Sequence, residues 1–434
     1  MIQSHKITVL AIGSTGDLYP YCALALGLQQ AGHQVTVATN SNFETFVRGL
    51  GLNFAAIAGD YRLLLSSESG QKILQGKTVK LIEDDLLKQQ MNDALAAAIG
   101  TDVLIFNHLA IWAYHVAERL EVPAFLASTI PLSATRSFPF LKFSEDPNTN
   151  LVKGWLNYSS YILAELISTW QGRAVTNSVR KAWGLPKLPA LGPRFRRDRP
   201  GYLSFLPILY GVSPSLVSKP KDWSSSIYLT GVWFLDRLEH YEPPAALTQF
   251  LEAGETPVCV GFGSMIDASS EALTNIVLAA LLASKQRAVI LSGWGGLGKI
   301  EIADDLKEQI FVIDAVPHSW LFSQVKAVVY HGGSGTTAAV CRAGIPAVVV
   351  PYFADQTGWA DRLYQLGVSP KPIPRKQLTV ESLADAIKVA TSDAQMQQKA
   401  ASLGQKISSE NGIEQAVAIV HQYLQNQLIC SDRN

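Results

Sequence analysis

The run His331-Gly332-Gly333-Ser334-Gly335-Thr336-Thr337 links an apolar stretch, Lys326–Tyr330, to a segment containing Ala338, Ala339 and Val340. Residue types in this order build a cradle for a diphosphate. A buried parallel strand that turns directly into a helix leaves the helix's first N–H groups unpaired and aims the positive end of its dipole above the sheet. An anion binds there. The glycines let the backbone approach a phosphate, Ser334, Thr336 and Thr337 add hydroxyl donors, and His331 offers a ring N–H. Asp355-Gln356 follows with a carboxylate and an amide, groups that can hold sugar hydroxyls. A Gly-rich strand-to-helix turn is often only a tight turn, so the rest of the chain must decide.

A second cluster of chemically capable residues lies in the first half. Gly13-Ser14-Thr15-Gly16-Asp17 follows the apolar run Ile7–Ile12, and Asn107-His108 follows Asp102–Phe106. Asp17 is the candidate general base, because an alcohol becomes a useful nucleophile when a base takes its proton. An isolated Asp has a pKa of about 3.9, so either burial raises it or proton transfer lags behind bond formation. The competing role for Asp17 is an N-cap ahead of Pro20. His108 is either a helper of Asp17 or a satisfied structural histidine.

These clusters require two α/β halves. In the first, strand Ile7–Ile12, helix Tyr21–Ala31, strand Gln34–Ala38, the segment Phe43–Gly49, a short strand near Asn53–Ala56, a long helical region within residues 70–99, strand Asp102–Phe106, helix Ala110–Leu120 and strand Ala124–Ala127 alternate. The second half repeats the plan: Val258–Gly261, Glu271–Ser284, Ala288–Leu291, Ile310–Ile313, Ala327–Tyr330, Thr336–Ala343 and Ala347–Val350. The fold class expected is α/β, with two Rossmann-like doubly wound domains facing across a cleft. The expected boundaries are an N-terminal domain at 1–235, a linker at 236–256, a C-terminal domain at 257–405, and a last helical segment at 406–434 packing back on the first domain. In strand order 3-2-1-4-5, ligands bind beyond the carboxyl ends of strands one and four. Asp17, Asn107 and His108 fall there in the first domain; Ser264 and His331 fall there in the second. Donor phosphates would then face Asp17.

Composition narrows the classes. The chain of 434 residues is 48% hydrophobic and 17% charged, which fits a multidomain globular protein and excludes disorder as its main state. Its 36 basic and 36 acidic residues cancel, leaving no electrostatic footprint for nucleic acid or anionic membrane. Cys22, Cys259, Cys341 and Cys430 are scattered, with no C-x-x-C pair, as expected in a reducing cytoplasm and not at a structural zinc site. The apolar runs Ile7–Ile12 and Leu273–Ser284 are too short to cross a bilayer.

The segments HGGSGTTAAVCRAGIPAVVVPYFADQTGWADRLYQLGV (331–368), VPHSWLF (316–322), GSM (263–265) and GSTGDLYPYCALALGLQQAGHQVTVAT (13–39) together resemble the family 1 glycosyltransferases of GT-B fold. The similarity is strongest to the sterol-glucosyltransferase-like and glycopeptide-glycosyltransferase-like branch. The resemblance implies an inverting, metal-independent enzyme needing no cofactor. It would move a sugar from a UDP-sugar co-substrate, bound by the C-terminal domain, to an apolar hydroxylated acceptor such as a sterol, polyketide, flavonoid or lipid. Many relatives carry His where this chain has Asp17, with an orienting Asp at the position of Asn107; the branch resembled uses Asp. Gln356 matches a position that accompanies glucose donors, making glucose the first expectation, with UDP or dTDP left open. Donor contacts are expected from Gly16, Ser264, Val316, His331, Gly333, Ser334, Gly335, Thr336, Asp355 and Gln356. Trp294 could stack on the base or pack in the core.

Other residues read as structural. His33 is expected to be the polar surface of a turn. Trp155, Tyr158, Tyr161 and Trp170, on a helical stretch, line an acceptor pocket or pack a core, and packing is favoured. A weak peripheral membrane contact by the same stretch is a lesser alternative. An epimerase-like nucleotide-sugar enzyme, or a non-catalytic nucleotide-sugar-binding protein on the same plan, are the rival functions. A dehydrogenase is disfavoured, since Gly13-Ser14-Thr15-Gly16 is not G-x-G-x-x-G and Asn40 stands where an acidic ribose ligand would be.

Overall fold

The computed structural model describes residues 3–74, 82–189, 206–236, 241–263, 270–293, 297, 302 and 306–431. Two parallel sheets organise them. The first contains β1 (Lys6–Leu10), β2 (Gln34–Asn40), β3 (Asn53–Ile57), β4 (Val103–Asn107), β5 (Ala124–Ser128), β6 (Ile208–Tyr210) and β7 (Ile227–Leu229). Their order is β3-β2-β1-β4-β5-β6-β7. The second contains β8 (Val258–Gly261), β9 (Ala288–Leu291), β10 (Ile310–Ile313), β11 (Val328–Tyr330) and β12 (Ala347–Val349), in the order β10-β9-β8-β11-β12. Strands β4, β9 and β11 are buried along their whole length, because helices cover both faces of a parallel sheet and continuous apolar runs satisfy both. In each sheet the order reverses between the first and fourth strands, where the candidate residues cluster.

Five helices bear on the site: α1 (Thr15–Gln30), α2 (Leu151–Ala182), α3 (Ser334–Ala343), α4 (Asp355–Leu366) and α5 (Gly412–Ser431). Helix α1 starts at Thr15, not at Tyr21 as the sequence predicts, and runs through Pro20. Pro20 is the sixth residue of the helix, so it removes one i→i−4 hydrogen bond from the second turn. Strands β6 and β7 lie in the proline-rich stretch expected to hold no long elements; at three residues each they are too short to leave a periodic signal. Helix α2 occupies 32 residues and contains the helical stretch expected around Trp155, Tyr158, Tyr161 and Trp170.

One core cluster spans both halves, joining Phe138, Phe143, Tyr161 and Tyr210 to Val340, Trp359 and Leu363. Helix α5 returns to the first sheet, where Ala416, Val417, Val420 and Leu424 pack with Leu24, Leu28 and Val35. His33 is buried, not surface: its Nε2 lies 2.6 Å from Nε2 of His421 on α5.

Candidate functional site

Beyond β1 the chain passes through Gly13 at φ +134°, a conformation open to glycine. A Cβ there would stand 2.7 Å from Asp17 Oδ2. Ser14 is the N-cap of α1, so Asp17 is not the cap but the third helical residue of a capping box. The Ser14 N–H and hydroxyl donate to Asp17 Oδ2 at 2.9 and 2.8 Å, while the Asp17 N–H donates to the Ser14 carbonyl at 3.0 Å. Gly16, in the same turn, is exposed.

Asn107 is fully buried and braces the switch point. Its amide donates to the Ile12 carbonyl at 2.7 Å and its oxygen accepts from Ala110 N–H at 3.1 Å. Both ends of this side chain are spent on backbone. Asn40, which the sequence reading passed over as a site residue, braces from the other side. Its oxygen accepts from Gly13 N–H at 3.3 Å and its amide donates to Ala58 O at 3.2 Å. An amide at the carboxyl end of β2, facing a glycine turn, was the available signal.

His108 is partly buried, and its Nδ1 has no hydrogen-bond partner among the described residues. Burial holds its pKa below the ordinary 6.5, opposed by the charge of Asp17. The phenols of Tyr21 and Tyr61 are pushed up, by burial first and by Asp17 second. Asp17 therefore acts electrostatically on three titratable groups of its own domain.

On the opposite wall the His331 ring lies against the glycine turns. A Cβ on Gly333 would sit 2.5 Å from His331 Nε2, so the close approach needs glycine there. Burial, then the nearby His318, lowers the His331 pKa to about 4, so its ring is neutral near pH 7. Its buried Nδ1 has no partner among the described residues. Gly333 caps α3, and Ser334, Gly335 and Thr336 form its first turn. Thr337, expected to face a phosphate, is instead fully buried and its hydroxyl pairs with Tyr330 OH at 2.8 Å. Its position one residue deeper in the helix turns it toward β11. Ser334 Oγ lies 3.4 Å from Oγ1 of Thr129, the residue just after β5, so the two walls meet here.

Asp355 begins α4 after Ala354, whose φ of 53° is uncommon for a residue with a side chain. Its Oδ2 accepts from Trp359 Nε1 at 3.2 Å. Burial first, and the charge of Asp17 second, push the Asp355 pKa from 3.8 up to about 7. The carboxylates of the two domains thus sense each other. Gln356 is buried, and its Oε1 accepts from Tyr352 N–H at 2.8 Å and Phe353 N–H at 3.4 Å. That oxygen shapes the loop after β12. Val316 is buried within the shared core. Ser264 and Trp294 lie outside the described residues.

Contacts beside the cleft hold the halves together. Phe143 packs on Trp359 with ring centroids 4.5 Å apart, Lys142 pairs with Asp361, and Arg342 forms a two-pronged pair with Asp236 at 2.7 Å. Among the described residues no group of three or more His, Cys, Asp or Glu side chains is placed to share a metal ion. The chemistry available is a carboxylate on one wall and, on the other, a helix start of the kind at which anions are favoured.

The comparisons agree with this architecture. The model of the glycosyltransferase family 28 N-terminal domain matches residues 7–139, and that of the erythromycin biosynthesis protein CIII-like C-terminal domain matches residues 298–421. The glycotransferase of kitacinnamycin superposes with a TM-score of 0.69 at 17% identity, covering 97% of this chain and 99% of that one. VinC, solved in complex with dTDP, superposes at 0.62 with 16% identity, covering 96% of this chain and 100% of its own. These likenesses establish the GT-B fold. Sterol 3-beta-glucosyltransferase UGT80B1 of Arabidopsis thaliana is 35% identical over 98% of this chain and 69% of its own length. UGT80A2 of the same plant is 36% identical, over 98% of this chain and 66% of its length. The sterol 3-beta-glucosyltransferase of Pichia angusta is 35% identical over 97% of this chain, which spans only 34% of that protein. At this identity and coverage, the chain is a glycosyltransferase belonging to the sterol 3-beta-glucosyltransferase family.

Proposed function

We propose that this chain transfers glucose from UDP-glucose to the hydroxyl of a sterol, with inversion at the anomeric carbon and without a metal ion. The observation that carries the reading is the meeting of the two walls at the start of α3, where Ser334 Oγ lies 3.4 Å from Thr129 Oγ1 and Trp359 Nε1 holds Asp355 Oδ2 at 3.2 Å. The acceptor oxygen attacks the anomeric carbon from the Asp17 side, its proton passes to the Asp17 carboxylate, and the bond to the diphosphate oxygen breaks. UDP departs with the electron pair. The first N–H groups of α3, the Ser334 and Thr336 hydroxyls and the unpartnered Nδ1 of His331 meet that developing charge. Asp355 is the group for sugar hydroxyls. Asn107 positions the Asp17 turn through Ile12, and His108 is a second proton carrier beside it.

The sterol assignment is supported by the names of the curated relatives; a dTDP complex on the same fold keeps the nucleotide open to direct comparison. Since sterols reside in bilayers, the reading carries peripheral membrane contact with it. The test is incubation of purified protein with a 3-hydroxysterol and either UDP-glucose or dTDP-glucose, with and without EDTA, followed by mass spectrometry. A sterol hexoside formed from UDP-glucose despite EDTA is expected. Donor hydrolysis with no sterol product would overturn the acceptor, and activity abolished by EDTA would overturn the metal-free step.

A further inference from the structure

Between β5 and α2 the chain runs through residues 129–150 without a helix or strand. Long stretches of this kind inside a packed domain usually serve function. The base of this one is tied to the first domain. The Leu132 and Ser133 N–H groups donate to the Tyr210 hydroxyl at 3.0 and 2.7 Å, and the Thr135 hydroxyl and Arg136 N–H donate to the Asp222 carboxylate at 2.7 and 2.8 Å. Its far end lies on α4 of the second domain, where Lys142 pairs with Asp361 and Phe143 packs on Trp359. Leu141 stands at φ 60°, a left-handed conformation uncommon for a residue with a side chain. Its carbonyl comes so close to α4 that a Cβ on Gly358 would run into it and stand 2.8 Å from the Phe143 ring. Phe143 and Trp359 are 1 and 2% exposed, so the contact is closed to water.

We propose that Phe143 is a positioning residue for the donor sugar: by packing on Trp359 it sets where the Asp355 carboxylate stands, so that the first domain takes part in reading a sugar held by the second. A contact serving only to join the domains could fall anywhere along α4. It falls instead on the side chain whose Nε1–H donates to Asp355 Oδ2 at 3.2 Å. Asp355 and Trp359 are four residues apart, on one face of the helix. An indole carries a single donor, so the tilt of its ring fixes the direction of that N–H. The Phe143 ring lies against it with centroids 4.5 Å apart and 47° between the planes, which fixes the tilt. The start of α4 does not do this by itself: Ala354 turns the backbone at φ 53° and the Gln356 oxygen is spent on the Tyr352 and Phe353 N–H groups. The same loop begins at Thr129, whose hydroxyl meets Ser334 at the diphosphate cradle. One stretch of the first domain thus touches the second at the cradle and at the carboxylate. The inference rests on the reading of Asp355 as the group for sugar hydroxyls.

Calorimetry with UDP and with UDP-glucose separates the sugar from the diphosphate, and the ratio of the two dissociation constants reports the sugar's share. Phe143→Ala should shift that ratio about tenfold against UDP-glucose, the size of one hydrogen bond to a charged group, with UDP itself within about twofold of wild type. Phe143→Leu, which keeps apolar bulk against the indole, should recover part of the loss. Trp359→Phe keeps a ring in place and removes the N–H, so it should shift the ratio equally and tests the idea even where the alanine variant folds poorly. That N–H also holds the Asp355 pKa down against the burial that raises it to about 7, so carboxyl-carbon NMR should show Asp355 titrating higher in Trp359→Phe. UDP and UDP-glucose weakened in step in Phe143→Ala would reduce the contact to packing and overturn the proposal. So would a wild-type ratio, or an unmoved titration, in Trp359→Phe. Asp355→Asn separates the two readings. A wild-type ratio in that variant sinks Asp355 as the sugar group, and the inference with it; a ratio lost there but kept in both Phe143→Ala and Trp359→Phe sinks the positioning role alone.

Discussion

Ser14 places two hydrogen bonds on one oxygen of Asp17, its N–H at 2.9 Å and its hydroxyl at 2.8 Å, both on Oδ2. Among the described residues Oδ1 accepts none. The carboxylate is thus clamped by the start of its own helix through one oxygen, and the other is left for a proton. Capping and chemistry share one side chain.

Ser14→Ala removes the hydroxyl half of the clamp and keeps the backbone half. We expect a loss of about 1 kcal/mol in stability from the weakened cap, and kcat lowered several-fold with donor KM little changed. Steady-state kinetics beside a thermal melt reads both; an unaltered kcat would mean that the backbone N–H alone orients Asp17.

His331→Ala removes the ring whose Nδ1 stands buried without a partner. UDP affinity should fall by roughly tenfold, the size of one hydrogen bond to a charged group. Calorimetry with UDP decides, and an unchanged dissociation constant would leave His331 as packing. Gly333→Ala should weaken UDP binding too, because its Cβ would drive into the His331 ring.

Asp355 titrates near 7 in the fold, above its ordinary 3.8. A folded-state pKa above the unfolded one gives stability that is present below about 4 and lost as pH rises through 7. The melting temperature of Asp355→Asn should equal that of wild type near pH 4 and exceed it increasingly toward pH 8. A difference that is flat with pH would contradict the buried, Asp17-facing carboxylate.

His33 carries the opposite dependence. Its Nδ1 accepts from the His5 N–H at 3.2 Å, so its neutral form holds the proton on Nε2 and donates to His421. Burial first, then His421 and His5, lowers its pKa from 6.5 to about 4. The stability it contributes is present above 6.5 and lost as pH falls toward 4. Protection of the amides in residues 412–425, taken relative to the intrinsic exchange rate at each pH, should therefore fall between pH 7 and 5, and less so in His421→Gln. An equal fall in both proteins would refute the histidine contact as the cause.

The strand order was legible because parallel strands buried on both faces leave unbroken apolar runs, and each half shows them in sequence. The residues singled out at the ends of β1, β4 and β11 do stand around one cleft, since glycine turns at strand ends leave a composition signal. Asn40 did not announce itself, because an amide bracing a neighbouring loop has no local pattern. Thr337 reads like Ser334 and Thr336, and only helix geometry turns it inward to Tyr330. Trp155 and Trp170 were expected to pack and stand exposed on α2, because apolar spacing marks a helix face without saying whether anything covers it.

Asp17→Asn tests the central claim most directly. The amide keeps an oxygen for the Ser14 clamp and cannot take a proton at neutral pH. With folding verified by melt and UDP affinity by calorimetry, single-turnover transfer from UDP-glucose to sterol should slow by about 100-fold or more while UDP binding stays within about twofold. Transfer at near wild-type rate in this variant would contradict Asp17 as the base and shift that role to His108.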